Sequence, residues 1–139
     1  ATDHAPHTWE EKQHVYTQCP SGAPLVQHSL NVMLQNYQNG KISLEKVVEK
    51  MCHNPAILFR IEKRGFIREG YKADLVLVDL NQDWTVEKDN LLYQCGWSPL
   101  EGTLFNNCIT HTFVNGHLVF ENGNFAQEKF GERLLYTTF

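Results

Sequence analysis

At 139 residues, the chain holds about one domain's worth of sequence. It is long enough to bury about two thirds of its surface and far short of the roughly 250 residues of a closed (β/α)8 barrel. Hydrophobic residues at 42%, charged at 20% and aromatic at 12% exclude disorder, collagen and coiled coil, and no apolar run approaches the roughly 18 residues that cross a membrane.

Charge is unevenly placed. Residues 1–70 carry 8 basic and 7 acidic side chains and residues 71–139 carry 4 and 9, for a net −4; nucleic acid, which asks for a basic face, is disfavoured as a partner. The basic cluster Arg60, Lys63, Arg64 and Arg68 is broken by Glu62 and Glu69 and reads as a solvated turn. Four cysteines at 19, 52, 95 and 108 form no Cys-x-x-Cys pair. With neither a Met nor a targeting segment at the opening, they imply reduced thiols in a cytoplasmic compartment.

Residues 1–23, punctuated by Pro6, Pro20 and Gly22, read as a long loop. From Pro24, the apolar positions Val26, Leu30, Met33, Leu34 and Tyr37 recur at helical spacing, and Asn39-Gly40 stops that helix. Ser43 is the expected N-cap of a second helix, with Leu44, Val47, Val48 and Met51 as its apolar stripe. Asn54-Pro55 restarts a short helical turn over residues 56–59, with proline at a permitted first position. The period then changes. Residues 73–79 form a continuous apolar run with acidic ends, the pattern of a strand covered on both faces. Residues 109–114 and 117–121 flank Asn115-Gly116, a strong hairpin signal, and Asn122-Gly123 marks a further turn. The chain is expected to be helical first and β-rich afterwards, with its boundary near residues 62–68.

The chemistry concentrates at the opening, where Asp3, His4 and His7 share a proline-containing loop. Carboxylate and imidazole suit zinc and similar ions, and the same composition also suits a polar loop with no ligand. Asp3-His4-Ala5-Pro6-His7 resembles the segment after the last barrel strand of dihydroorotases, members of the amidohydrolase superfamily. The resemblance continues through Glu10-Glu11-Lys12, Pro20-Ser21-Gly22, Cys52-His53-Asn54-Pro55-Ala56, Gly65-Phe66-Ile67, residues 73–79, Trp97-Ser98-Pro99 and residues 112–116. It covers almost all of the chain. Allantoinases and dihydropyrimidinases share the Asp-His opening; His7 is what points to dihydroorotases. One departure is the substrate loop, Pro20-Ser21-Gly22-Ala23-Pro24, where relatives often have Pro-aromatic-Gly.

The resemblance implies an α/β fold in which the intact protein is a (β/α)8 TIM barrel with a small β-sandwich domain. This chain is then a C-terminal third, with Ala1 at the end of barrel strand eight, residues 1–62 closing the barrel and residues 63–139 supplying part of the small domain. It further implies zinc-dependent, reversible hydrolysis of the cyclic amide of dihydroorotate to N-carbamoyl-L-aspartate. Asp3 is the implied metal ligand and proton shuttle, His7 the group that pairs with the substrate carboxylate, and Ser21 and Gly22 the backbone that holds the ring. The remaining zinc ligands are expected upstream, in a missing N-terminal part, so the piece alone is expected to be inactive and to associate with copies of itself. Two other readings stand beside this one, a non-catalytic dihydroorotase-like scaffold and a free-standing interaction domain.

The other residues of interest have plainer expectations. His4 structures its loop, His14 faces solvent, His28 is at the surface or an interface, and His53 makes a helix-end contact. His111 and His117 form cross-strand polar pairs. Trp84 and Trp97 cover the small domain's core, and Trp9 either shields the site or makes a surface contact. Cys19 has nothing beside it that would make it a nucleophile.

Overall fold

The computed structural model describes residues 2–137. The expected division into a helical first half and a β-rich second half is observed, although the expectation for Ala1 lies outside the described residues. The opening loop holds one helical turn, α1 (Trp9–Lys12). Its start is a capping box: Thr8 accepts from the Glu11 N–H while the Glu11 carboxylate accepts from the Thr8 N–H at 2.8 Å. The spacing Thr-x-x-Glu was in the sequence, but so short a helix leaves no periodic stripe to announce it.

A 3-10 turn, Val26–His28, leads into α2 (Ser29–Gln38). The next helix runs unbroken from Leu44 to Leu58, as α3 (Leu44–Val48), a π-helical turn (Glu49–His53) and α4 (Asn54–Leu58). Ser43 caps it as expected, accepting from the Lys46 N–H at 3.2 Å. Pro55 explains the π turn. Proline has no N–H and its ring crowds the carbonyl four residues back; widening the turn, with the Asn54 N–H on the Glu49 carbonyl, lets the helix pass through without breaking.

Six short strands follow: β1 (Leu75–Asp79), β2 (Trp84–Thr85), β3 (Leu104–Phe105), β4 (Cys108–Val114), β5 (His117–Glu121) and β6 (Asn124–Phe125). β1, β4, β5 and β6 form an antiparallel sheet in that order, and β2 pairs with β3. Asn115 (φ 53°) and Gly116 (φ 84°) make the expected tight turn between β4 and β5. The expectation that residues 73–79 are covered on both faces is corrected. β1 is an edge strand, and Val76 and Leu77 are 45% and 49% exposed; an apolar run alone does not say which layer lies over it.

The core joins the two halves. Leu34, Val47, Ala56, Val86 and Phe105 are buried, and α2 is tied to the β half by buried amides. Asn31 Nδ2 donates to Asn107 Oδ1 at 3.0 Å and to the Asn107 carbonyl at 3.2 Å, and Asn107 Nδ2 donates to Gln38 Oε1 at 3.0 Å. Gln38 Nε2 reaches the Leu80 and Asn106 carbonyls, each at 2.8 Å. Arg64 is not on a solvated turn: it pairs with Asp74 and donates to Asn115 Oδ1, linking the segment after the helices to the β4–β5 turn. Arg68 lies 4.4 Å over the Phe66 ring.

Candidate functional site

Two segments build the site, residues 3–7 and residues 20–26. They run alongside each other through a parallel bridge between His4 and Ala23, with the Ala5 N–H on the Ala23 carbonyl at 3.2 Å. Asp3 is exposed and sits at φ 48°, a left-handed conformation that aspartate tolerates better than most residues. No described residue donates to its carboxylate. Gly22, at φ 87°, faces the first segment. A Cβ there would lie 2.5 Å from the Ala5 Cβ, so close packing of the two segments, in addition to backbone freedom, demands glycine.

His4 has the loop role expected of it. Its Nδ1 accepts from the Leu25 N–H at 3.1 Å and the Val26 N–H at 3.4 Å, which places the ring proton on Nε2. The His4 ring packs against Tyr93, 5.2 Å between centroids. His7 Nδ1 lies 3.4 Å from the Glu11 carboxylate. The Thr8 N–H first, and the nearby His7 ring next, hold the Glu11 carboxyl below the usual carboxylate range. Ser21 and Gly22 are exposed, and their N–H groups donate to nothing among the described residues.

The β half reaches this site. The Trp97 indole N–H donates to the His7 carbonyl at 2.8 Å, and Trp9 stands edge-on to Trp97 at 5.6 Å. Trp97 therefore braces the opening loop in place of the core-covering role expected of it; Trp84 does pack on a core residue, 5.7 Å from the buried Phe105. The Tyr93 hydroxyl accepts from the Gln27 N–H at 2.9 Å, and the Gln27 side chain clamps the Asn90 carbonyl and the Leu92 N–H, each at 2.8 Å. Tyr93 and Gln27 carried no local sequence signal, and the Trp97-Ser98-Pro99 motif did not point to the opening loop. Their partners lie 63 to 90 residues away in the chain.

Other histidines also differ from expectation. His28 is fully buried, against a reading that placed it at the surface or an interface. It packs among Trp84, Tyr93 and Phe105, and neither ring nitrogen has a hydrogen-bond partner among the described residues. Burial pushes its pKa down. It borders a cavity of about 1040 Å³ between the start of α2, residues 89–95 and the face of the four-stranded sheet. His117 stacks on Phe130 at 4.1 Å instead of forming a polar pair, whereas His111 does face Glu121 across the strands at 3.3 Å. His53 stacks on Phe66 at 4.3 Å from within the continuous helix.

No group of three or more His, Cys, Asp or Glu side chains among the described residues is arranged to hold a metal ion. The unpartnered carboxylate of Asp3 suits a divalent cation as one ligand of several. All four cysteines are free thiols. No helix among the described residues is long and apolar enough to cross a membrane.

Residues 1–119 match the amidohydrolase family, and the chain belongs to it. It is 36% identical over 135 residues to the dihydroorotase of Pyrococcus furiosus, a match spanning 97% of this chain and 31% of that protein. It is also 36% identical over 151 residues to the multifunctional protein pyr1-3 of Dictyostelium discoideum, spanning 99% of this chain and 6% of that protein. Among solved structures, the L-hydantoinase (dihydropyrimidinase) of Arthrobacter aurescens superposes with a TM-score of 0.79 at 33% identity, over 85% of this chain and 27% of that one. The chain thus spans a third or less of the length of these relatives. Its mixed helix and sheet is that of a portion of a TIM-barrel amidohydrolase.

Proposed function

We propose that this chain is the part of a dihydroorotase that carries the Asp3 loop and the substrate loop, within a longer polypeptide that interconverts dihydroorotate and N-carbamoyl-L-aspartate. The observation that supports the reading is the pairing of residues 3–7 with residues 20–26, which runs the segment of the exposed Asp3 alongside that of Ser21 and Gly22, with the Asp3 carbonyl oxygen 3.8 Å from where a Gly22 Cβ would lie. Residues 1–62 then belong to the barrel and residues 63–139 to the small β domain. The remaining length of the relatives supplies the rest of both.

Asp3 would hold zinc together with ligands from outside this chain. Zinc supplies Lewis-acid polarisation of the ring carbonyl and a more acidic water. The Asp3 carboxylate takes a proton from the attacking water and returns it to the ring nitrogen as the amide C–N bond opens. His7 pairs with the substrate carboxylate, and the Ser21 and Gly22 backbone orients the ring. Free thiols support a reducing, cytoplasmic setting. Exposed Ile57, Leu58 and Phe59, at 63%, 74% and 61%, support further burial against the rest of the protein and in a homo-oligomer. The likeness to a hydantoinase favours a second reading, a related cyclic amidohydrolase; the presence of His7 favours an acidic substrate.

The test is Asp3→Asn in the full-length protein. Turnover of dihydroorotate should fall about 10²–10⁴-fold with the fold intact. A variant within tenfold of wild type sinks the assignment, and wild-type turnover of hydantoin in place of dihydroorotate makes the second reading the right one.

A further inference from the structure

We propose that Lys12 is a positioning residue that turns residues 20–22 into a preformed receptor for the ring of an anionic substrate. The proposal rests on the reading of Ser21 and Gly22 as substrate-binding backbone. Lys12 is the last residue of α1, whose capping box fixes the turn. Its ammonium donates to the Pro20 carbonyl at 2.5 Å and to the Gly22 carbonyl at 3.1 Å, the carbonyls on either side of Ser21. No carboxylate among the described residues lies within ion-pair distance of it, and the side chain is half-buried. A surface lysine ordinarily stays solvated or meets a carboxylate; this one spends two of its three donors on one loop. Cys19 Sγ, 3.6 Å from both the Lys12 and Pro20 carbonyls, draws the same strands of chain together.

The consequence is electrostatic as well as geometric. With its flanking carbonyls engaged, the Ser21–Gly22 turn presents unpaired N–H donors beside an uncompensated positive charge. Backbone N–H groups held in a turn favour anions, and a nearby cation strengthens that preference. Dihydroorotate and N-carbamoyl-L-aspartate are both anions.

The experiment uses the full-length enzyme and the variants Lys12→Met, Lys12→Gln and Lys12→Arg, with Lys41→Met, on an exposed residue, as the charge-matched control. Lys12→Met should raise KM for dihydroorotate at least tenfold while kcat stays within about threefold and zinc content is unchanged. Lys12→Arg should keep KM within about threefold, and Lys12→Gln should fall between. Amide exchange at Ala5 and Leu25, protected by the Ala23 carbonyl and His4 Nδ1, should quicken in Lys12→Met. Unchanged KM and unchanged exchange in both Lys12→Met and Lys12→Gln overturn the proposal, as does loss of zinc from either. If wild type does not act on dihydroorotate, the proposed function fails, and the exchange measurement alone then decides whether Lys12 holds the loop.

Discussion

His28 is where a single residue departs furthest from the sequence pattern. Two positions into a helical stripe of Val26, Leu30 and Leu34, a histidine reads as polar and outward, yet three aromatic rings enclose it. A buried imidazole with neither nitrogen satisfied is held neutral, because desolvation penalises the charged form. The sign of its effect on stability follows. The unfolded chain binds the proton near pH 6.5 and the folded chain only at lower pH, so the unfolded state holds more protons between those values. Stability is full above about pH 6.5 and is lost as the pH falls toward the depressed folded value. His28→Phe keeps an aromatic ring and removes the proton site. Thermal unfolding of the full-length protein between pH 7.5 and 5 should show a smaller fall in Tm for this variant than for wild type; parallel curves would mean that other groups set the acid limb.

At the level of elements, the legible parts were those whose signal is local. The α2 stripe from Leu30 onward, the Ser43 cap, the Asn115-Gly116 hairpin and the change from helix to strand all depend on neighbours a few residues apart, and all are present; Val26, expected to open the stripe, lies in the 3-10 turn and is exposed. The π turn was not legible as such. Asn54-Pro55 announced an interruption, and the resolution by widening instead of breaking depends on what packs around it. Gly65 belongs to that packing. At φ 77°, its missing Cβ would lie 2.5 Å from the Ala56 Cβ and 2.8 Å from the Cys52 carbonyl oxygen, so the chain leaving the helix folds back onto α4 and the π turn. Gly65→Ala adds a steric clash to a left-handed backbone and should cost about 2–4 kcal/mol in urea unfolding. Gly70→Ala is the comparison, at φ 75° with open space around it; only the backbone cost of about 1–2 kcal/mol applies. Equal losses would remove the packing argument. In the candidate site, the opening motif marked Asp3 and His7, whereas Lys12, Tyr93 and Trp97 act through contacts that close only in three dimensions.

In the molecule as a whole, the buried amides of Asn31 and Asn107 and the half-buried amide of Gln38 hold the helical half on the β half. Asn31 and Asn107 bond to each other, Asn107 also donates to Gln38, Gln38 donates to the Leu80 and Asn106 carbonyls, and Trp84 Nε1 donates to the Asn107 carbonyl at 2.8 Å. Removing one member strands its partners in the interior at about 1–3 kcal/mol for each group left unpaired. Asn107→Ala should therefore cost about 3 kcal/mol in the full-length protein. A double-mutant cycle with Asn31→Ala should return a coupling of about 0.5–3 kcal/mol, and strict additivity would show that the two side chains are not linked. The same arrangement limits how such a protein can be recombined. A chimera that joins residues 1–62 of this chain to the β segment of a relative inherits only one side of the amide set, and only one side of the contacts between Trp97 and His7 and between Tyr93 and Gln27. Inheritance of these halves is thus not independent: the productive crossover points lie where both sides of every amide contact travel together, and a change fixed on α2 constrains which changes the β3–β4 connection at Asn107 can accept afterwards.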